Sequence, residues 1–247
     1  ESYLERVFTA ACEAVGEATA ALHPVTVRYG AKPIEPIGFN RVYGDFSHLD
    51  PTLSVLVLDP DRSGIRPIVL AGYACHPVTL GVNDAVSADY PGVFVRRLGE
   101  DGYDAAFLQG FCGNIDPVVN LDAWGSGDRE DVLRYAEHLR YHARCLIEVA
   151  PPVEWKGPDL LVRERALRLP FDLRIEPREY EERLRRAYGS FGEKAIERFI
   201  EELREERSTS GRPGGSRPAL EVPLQVVGLG QVRLVTVAAE VFSEYGL

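Results

Sequence analysis

The residue types that catalysis draws on fall into a few short stretches of this 247-residue chain. In Tyr73-Ala74-Cys75-His76-Pro77-Val78-Thr79-Leu80 a histidine closes an apolar run and a proline stops it. Ligands in α/β proteins sit at the carboxyl ends of strands, and a neutral imidazole there is a natural zinc donor. A histidine that simply hydrogen-bonds at a strand end fits the same pattern. Gly110-Phe111-Cys112-Gly113-Asn114-Ile115-Asp116-Pro117 follows a second apolar run. Its glycines and proline predict a tight, exposed turn whose backbone N–H groups face an anion, with Asn114 and Asp116 adding an amide and a carboxylate. In Asn83-Asp84-Ala85-Val86-Ser87-Ala88-Asp89-Tyr90-Pro91-Gly92, Ser87 or Asp89 is placed to cap the helix that follows.

Other signals compete with these. Gly110-Phe111-Cys112-Gly113-Asn114 has the outline of a nucleophile elbow with Cys112 as a hydrolase nucleophile, but Pro117 interrupts the helix an elbow needs. His138 and His142 are spaced i, i+4 without the glutamate of H-E-x-x-H, which points to a partly exposed pair. Asp59-Pro60-Asp61-Arg62-Ser63-Gly64 begins like a calcium loop, yet Leu70 stands where the bidentate glutamate belongs, so a turn is expected. Gly228-Leu229-Gly230 lacks the third glycine of a dinucleotide fingerprint and reads as a hairpin turn.

The elements that must hold these stretches follow from periodicity. A helical stripe over residues 2–22 ends before Pro24. Val25–Tyr29 alternates as a strand, and 32–39 reads as an irregular loop leading into Asn40-Arg41. Leu53–Leu58 and Ile68–Tyr73 are predicted as a hairpin, Ala88–Leu98 as a helix and Ala105–Leu108 as a short buried strand. Residues 128–149 form a second strongly periodic helix, and Val153–Leu169 reads as extended. Residues 177–206 predict a charged helical hairpin broken at Gly189-Ser190-Phe191-Gly192, whose alternating charges read as solvated helix faces. A mobile loop is expected over 208–218, and a last hairpin pairs Val222–Val227 with Gln231–Ala238. Strands mixed with helices throughout give an α/β fold: one domain over 1–247, a mixed β-sheet flanked by helices, with the 177–206 hairpin inserted.

Composition narrows the function classes. With 28 basic against 38 acidic residues the net charge is −10, which lacks the basic footprint of a nucleic-acid binder. No uninterrupted apolar run approaches the ~18 residues a membrane helix needs. Cys12, Cys75, Cys112 and Cys145 are widely spaced with no C-x-x-C pair, which leans towards reduced thiols and a cytoplasmic setting. The chain contains no methionine and opens inside a predicted helix, as an excised segment of a longer protein would.

Taken in order, Asn40-Arg41, Cys75-His76-Pro77, Ser87-Ala88-Asp89-Tyr90-Pro91-Gly92, Gly113-Asn114-Ile115-Asp116-Pro117 and Ala239-Glu240 resemble the neutral/alkaline non-lysosomal ceramidase family, over a span from Phe39 to the C-terminus. The resemblance implies a zinc-dependent amidohydrolase in which two histidines, a glutamate and a tyrosine hold one zinc and metal-activated water cleaves an N-acyl bond of a lipid-like substrate. It implies His76 as the second histidine and Glu240 as the glutamate, with the other two ligands outside this segment. It further implies Arg41 on the substrate or oxyanion, Asp116 as general base or orienting group, and Asn40 and Asn114 at the substrate. Ceramidases carry Gly-Asp-Val-Ser-Pro where this chain has Gly113-Asn114-Ile115-Asp116-Pro117, a difference that bears on the choice of substrate. A Pro-Gly turn would also precede the glutamate where this chain has Val237-Ala238-Ala239. A non-catalytic relative with an incomplete metal site is the alternative from another class.

Overall fold

Two parallel strands and the helix between them set the geometry. The structure is a computed structural model that describes residues 2–81, 83–155, 160–170, 176–188, 193–210 and 219–246. Strand β4 (Ile68–Tyr73) pairs in parallel with β5 (Asp104–Gln109), and helix α2 (Asp89–Glu100) makes the crossover. A parallel pair needs such a crossover because its ends cannot be joined by a hairpin. Strand β3 (Thr52–Pro60) joins β4 on its other side as the expected antiparallel hairpin, and β1 (Val25–Pro33) joins β3. The order β1-β3-β4-β5 makes one mixed sheet, which is the α/β architecture anticipated from the element pattern.

The core lies between this sheet and two helices. Tyr90, Phe94 and Leu98 line α2, while Val132, Ala136, Leu139, Ala143, Leu146 and Ile147 line α3 (Arg129–Val149). Both sets pack against the fully buried Val55, Val57, Val69 and Ala71 of the sheet. Each Val, Leu, Ile or Phe among them contributes about 1.5–3 kcal/mol on burial. Asp128 opens α3 with a capping box, accepting from the Glu130 and Asp131 N–H groups while Asp131 bonds back to the Asp128 N–H. At the other end of α2, Arg140 of α3 grips Asp101 through Nη2 and Nε at 2.6 and 2.8 Å.

The structure differs from the sequence expectations in several places. Helix α1 (Tyr3–Ala20) forms with its own capping box at Ser2, but its apolar stripe stays exposed, because no described element packs on it. Residues 38–40 and 115–117, read as loop and turn, pair as the short antiparallel strands β2 (Gly38–Asn40) and β6 (Ile115–Pro117). The 113–117 turn is consequently buried, with Asn114, Ile115 and Asp116 all below 3% exposure. The 61–65 segment is a plain turn with Gly64 at φ +86°.

The chain divides into two compact units, the first comprising Glu1–Asp159, Leu229–Val232 and Glu240–Leu247, the second Leu160–Gly228 and Arg233–Ala239. The second contains the helical hairpin, α4 (Pro177–Tyr188) and α5 (Glu193–Ser210), and the three-stranded sheet β7-β8-β9 (Leu160–Pro170, Ala219–Leu229, Val232–Val237). Within the hairpin, Tyr180 and Phe199 meet edge to face at 6.2 Å, and Arg185 pairs with Glu181 and Glu193. Residues 208–210, assigned from sequence to the mobile loop, complete α5; the rest of that loop and the 189–192 tip lie outside the described residues. Gly230, at φ +54°, makes the β8–β9 turn, where a Cβ would stand 2.5 Å from the Glu154 carbonyl. No helix among the described residues is long and apolar enough to cross a membrane.

Candidate active site

The parallel register brings the two chemical stretches together. Tyr73 and Gln109 are partners at the carboxyl ends of β4 and β5, so His76 and Cys112 leave the sheet at equal offsets. The Cys112 Sγ consequently lies 3.7 Å from His76 Nδ1. The Gln109 side chain bridges the two exits by donating to the Cys75 carbonyl at 3.0 Å, and the buried Tyr90 hydroxyl donates to the same oxygen. The His76 N–H donates to the Ile115 carbonyl at 2.9 Å, which ties the histidine's backbone to β6.

The β2–β6 ladder supplies the next pair. Phe39 stands opposite Asp116, and the Arg41 N–H extends the ladder by donating to the Asn114 carbonyl at 2.9 Å. Arg41 is then diagonal to Asp116 on one face, within reach of a long side chain. Its Nη2 donates to the Gly113 carbonyl at 2.8 Å and its Nη1 lies 3.5 Å from Asp116 Oδ1. That carboxylate oxygen is buried without a hydrogen-bond donor among the described residues. Buried polar atoms left unpaired are uncommon in folded proteins and call for a functional account.

Glu240 arrives from the chain beyond β9. The Gly113 N–H donates to the Val241 carbonyl at 2.9 Å, and a Cβ on Gly113 would come within 2.6 Å of the Glu240 carbonyl, so only glycine admits this approach. The segment is fastened further by Asn114, whose Oδ1 accepts from the Ser243 N–H and whose Nδ2 donates to Glu244 Oε2, both at 2.9 Å. Glu240 Oε2 thereby stands 4.0 Å from His76 Nε2, with the histidine largely covered and the glutamate 81% exposed.

The six residues singled out from sequence thus converge, but not in equivalent roles. His76 faces Glu240, and Arg41 faces Asp116. Asn40 and Asn114 are fully buried with their amides committed to the protein: Asn40 Nδ2 donates to the Ser47 and His48 carbonyls, and its Oδ1 accepts from the Val42 N–H. Ser243 and Glu244 were not singled out. They lie 129 and 130 residues from the asparagine they meet, and no local spacing signals such a contact. Asp89 buries its carboxylate, accepting from the Thr79 hydroxyl at 2.6 Å and from the Leu80 and Tyr90 N–H groups. That is the structural role its motif suggested, executed from the first residue of α2 at φ +49° instead of from a cap.

The rival signals resolve as well. No helix follows Cys112 directly, since β6 intervenes, so the strand–turn–helix context of an elbow is missing. Burial, with the Glu240 charge second, pushes the Cys112 thiol up to about 11, away from the reactive thiolate. His138 contacts the Glu35 carbonyl through Nε2 at 2.9 Å and stacks edge-on with His142. All four cysteines are free.

The donor set bears directly on zinc. With donors at about 2.0–2.2 Å, two tetrahedral zinc ligands stand roughly 3.4 Å apart. The exposed Glu240 side chain can close that distance from 4.0 Å to a histidine nitrogen that has no other partner among the described residues. These two donors fit a zinc ion. Among the described residues no group of three or more His, Cys, Asp or Glu side chains completes a shell.

No protein-family model matches the sequence, and no curated protein matches it. Among solved structures, the fold is similar to neutral ceramidase from Pseudomonas aeruginosa, with a TM-score of 0.61 and 20% identity over 90% of this chain and 41% of that one. It is also similar to a ceramidase complexed with C2, with a TM-score of 0.58 and 18% identity over 88% of this chain and 42% of the other. The chain has a ceramidase-like fold and spans less than half the length of the structures it matches.

Proposed function

We propose that this chain forms part of a zinc-dependent hydrolase that cleaves the N-acyl amide bond of a lipid-like substrate. The observation that carries the proposal is the convergence, at the carboxyl ends of two parallel strands, of His76 Nε2, the Glu240 carboxylate and the donor-less Asp116 Oδ1 beside Arg41. His76 and Glu240 would hold the metal, with further donors from beyond the described residues. When bound, zinc supplies Lewis acidity and brings the pKa of water down to about 7.

The chain's own groups do the rest. Asp116 Oδ1, ion-paired to Arg41 but without a hydrogen-bond donor among the described residues, accepts the proton released as a water attacks the amide carbonyl, and returns it to the leaving nitrogen. Arg41, fixed by the Gly113 carbonyl, keeps guanidinium N–H groups available to the carbonyl oxygen as it gains charge. Asn114 and Asn40 position: one clamps the segment bearing Glu240, the other shapes the turn after Arg41. The aspartate at 116, where ceramidases have serine, leaves the acyl substrate open to amides other than ceramide.

The test is hydrolysis of a fluorogenic N-acyl amide by the purified protein. Activity that a chelator abolishes, that zinc restores and that Asp116→Asn lowers by roughly 10²–10⁴-fold is the expected result. Activity indifferent to chelation but lost in Cys112→Ser would replace the metal reading with a cysteine hydrolase, and a protein inactive on all N-acyl amides would favour the non-catalytic relative.

A further inference from the structure

A cavity of about 550 Å³ opens between the first turns of α2 and α3, Leu80 and the 85–88 segment. Its volume is within the range typical of small-ligand sites, roughly 300–1,000 Å³. Leu80, Val93, Val132 and Leu133 give it apolar walls, and Arg96 and Arg129 stand at its edge.

The arginines are the informative part. Helices α2 and α3 carry six, and four of them are paired: Arg97 with Glu100, Arg134 with Asp131, and Arg140 and Arg144 with Asp101. Arg96 and Arg129 are the two with no carboxylate partner among the described residues, and they are the two that line the cavity. In a chain of net charge −10 acidic partners are plentiful, so leaving these two unpaired concentrates positive charge at one place. Asp89, the carboxylate among the described lining residues, forms no ion pair with either of them; its oxygens accept from Thr79, Leu80 and Tyr90. The apolar wall is also open to solvent: Leu133 is 42% exposed and the neighbouring Val86 wholly so.

Apolar walls with two free guanidinium forks at the rim match one kind of molecule. We propose that this cavity binds a single-chain amphiphile, an alkyl tail against Leu80, Val93, Val132 and Leu133 with an oxyanion head, carboxylate or phosphate, held by Arg96 and Arg129. Binding of this kind is independent of the hydrolysis proposed above and is read without it.

Isothermal titration calorimetry of the purified protein with dodecanoate, dodecyl phosphate and dodecanol, each below its micellar concentration, tests it. At least one of the two anions should bind about tenfold more tightly than dodecanol, and the Arg96→Gln/Arg129→Gln double variant should erase that advantage. Which anion binds better distinguishes a carboxylate from a phosphate head. Both arginines are exposed and unpaired, and removing a cation from the first turn of α3 is favourable to the helix, so the variant should fold. Leu133→Glu, which sets a carboxylate in the apolar wall, should weaken the same ligands. Dodecanol binding as tightly as the anions, unchanged binding in the double variant, or no binding by any of the three would overturn the proposal.

Discussion

Asn114 shows how much a single side chain contributes to this arrangement. Its amide faces two ways, accepting from the Ser243 N–H and donating to the Glu244 carboxylate, and the second bond is available only to an amide. Asn114→Asp, which installs the residue ceramidases carry in this motif, sets two carboxylates 2.9 Å apart. A loss of about 1–3 kcal/mol is expected from urea denaturation. Adding Glu244→Gln should recover much of it, since a glutamine can donate where the glutamate could only repel; failure to recover would mean that the pair does not hold the segment. Cys112 gives a contrasting expectation. Burial pushes its thiol up to about 11, away from a reactive thiolate, so Cys112→Ser should lower hydrolysis far less than Asp116→Asn does, by at most the ~10–100-fold that altering a neighbour of a metal-ligating histidine costs. The residues legible in the sequence were those inside local motifs, namely His76, Arg41, Asp116 and Glu240. Ser243 and Glu244 were not, because what selects them is a contact more than a hundred residues away.

At the scale of elements, the helices were the most readable, because a 3.6-residue period and side-chain caps announce themselves locally: α3 appears with its Asp128 cap where the pattern places it. Strands β2 and β6 were hidden because each is only three residues long and is defined by its partner. Their pairing buries Asp116 and sets Arg41 beside it, so the missed elements are the ones that build the site. The tight contact of Gly113 with the Glu240 segment is testable in the same way. In Gly113→Ala the new Cβ meets the Glu240 carbonyl at 2.6 Å and Phe242 at 2.9 Å. About 1–3 kcal/mol of destabilisation is expected, with activity falling further than stability because Glu240 is displaced.

The link between α2 and α3 carries a pH signature. The Arg140 hydrogen bonds, the leading cause, hold the Asp101 carboxyl below its ordinary value. A carboxylate lowered on folding adds stability above its unfolded pKa of about 3.9 and loses it as the pH falls below that. Asp101→Asn should therefore cost about 1–2 kcal/mol at neutral pH, between an exposed pair and a buried charged hydrogen bond. In thermal melts the gap from wild type should hold down to about pH 5 and narrow below about pH 4. A gap constant down to pH 3 would mean that the pair contributes nothing through its charge.

For the molecule as a whole, the mixed sheet and its two covering helices place the chain in a ceramidase-like fold, and that fold was anticipated from motif order and element pattern. Less was legible about what lies on its surface: the apolar stripe of α1 is plain in the sequence, but not that it stays exposed. Under the function proposed above, His76 and Glu240 would supply two of the donors to a zinc ion. Zinc content by mass spectrometry tests this most directly, comparing the purified protein with His76→Ala and Glu240→Ala after dialysis against trace zinc. About one zinc per chain in the wild type, lost in His76→Ala and reduced in Glu240→Ala, is the expected result. No zinc in the wild type, or the same content in all three proteins, would contradict a metal centre built on these two residues.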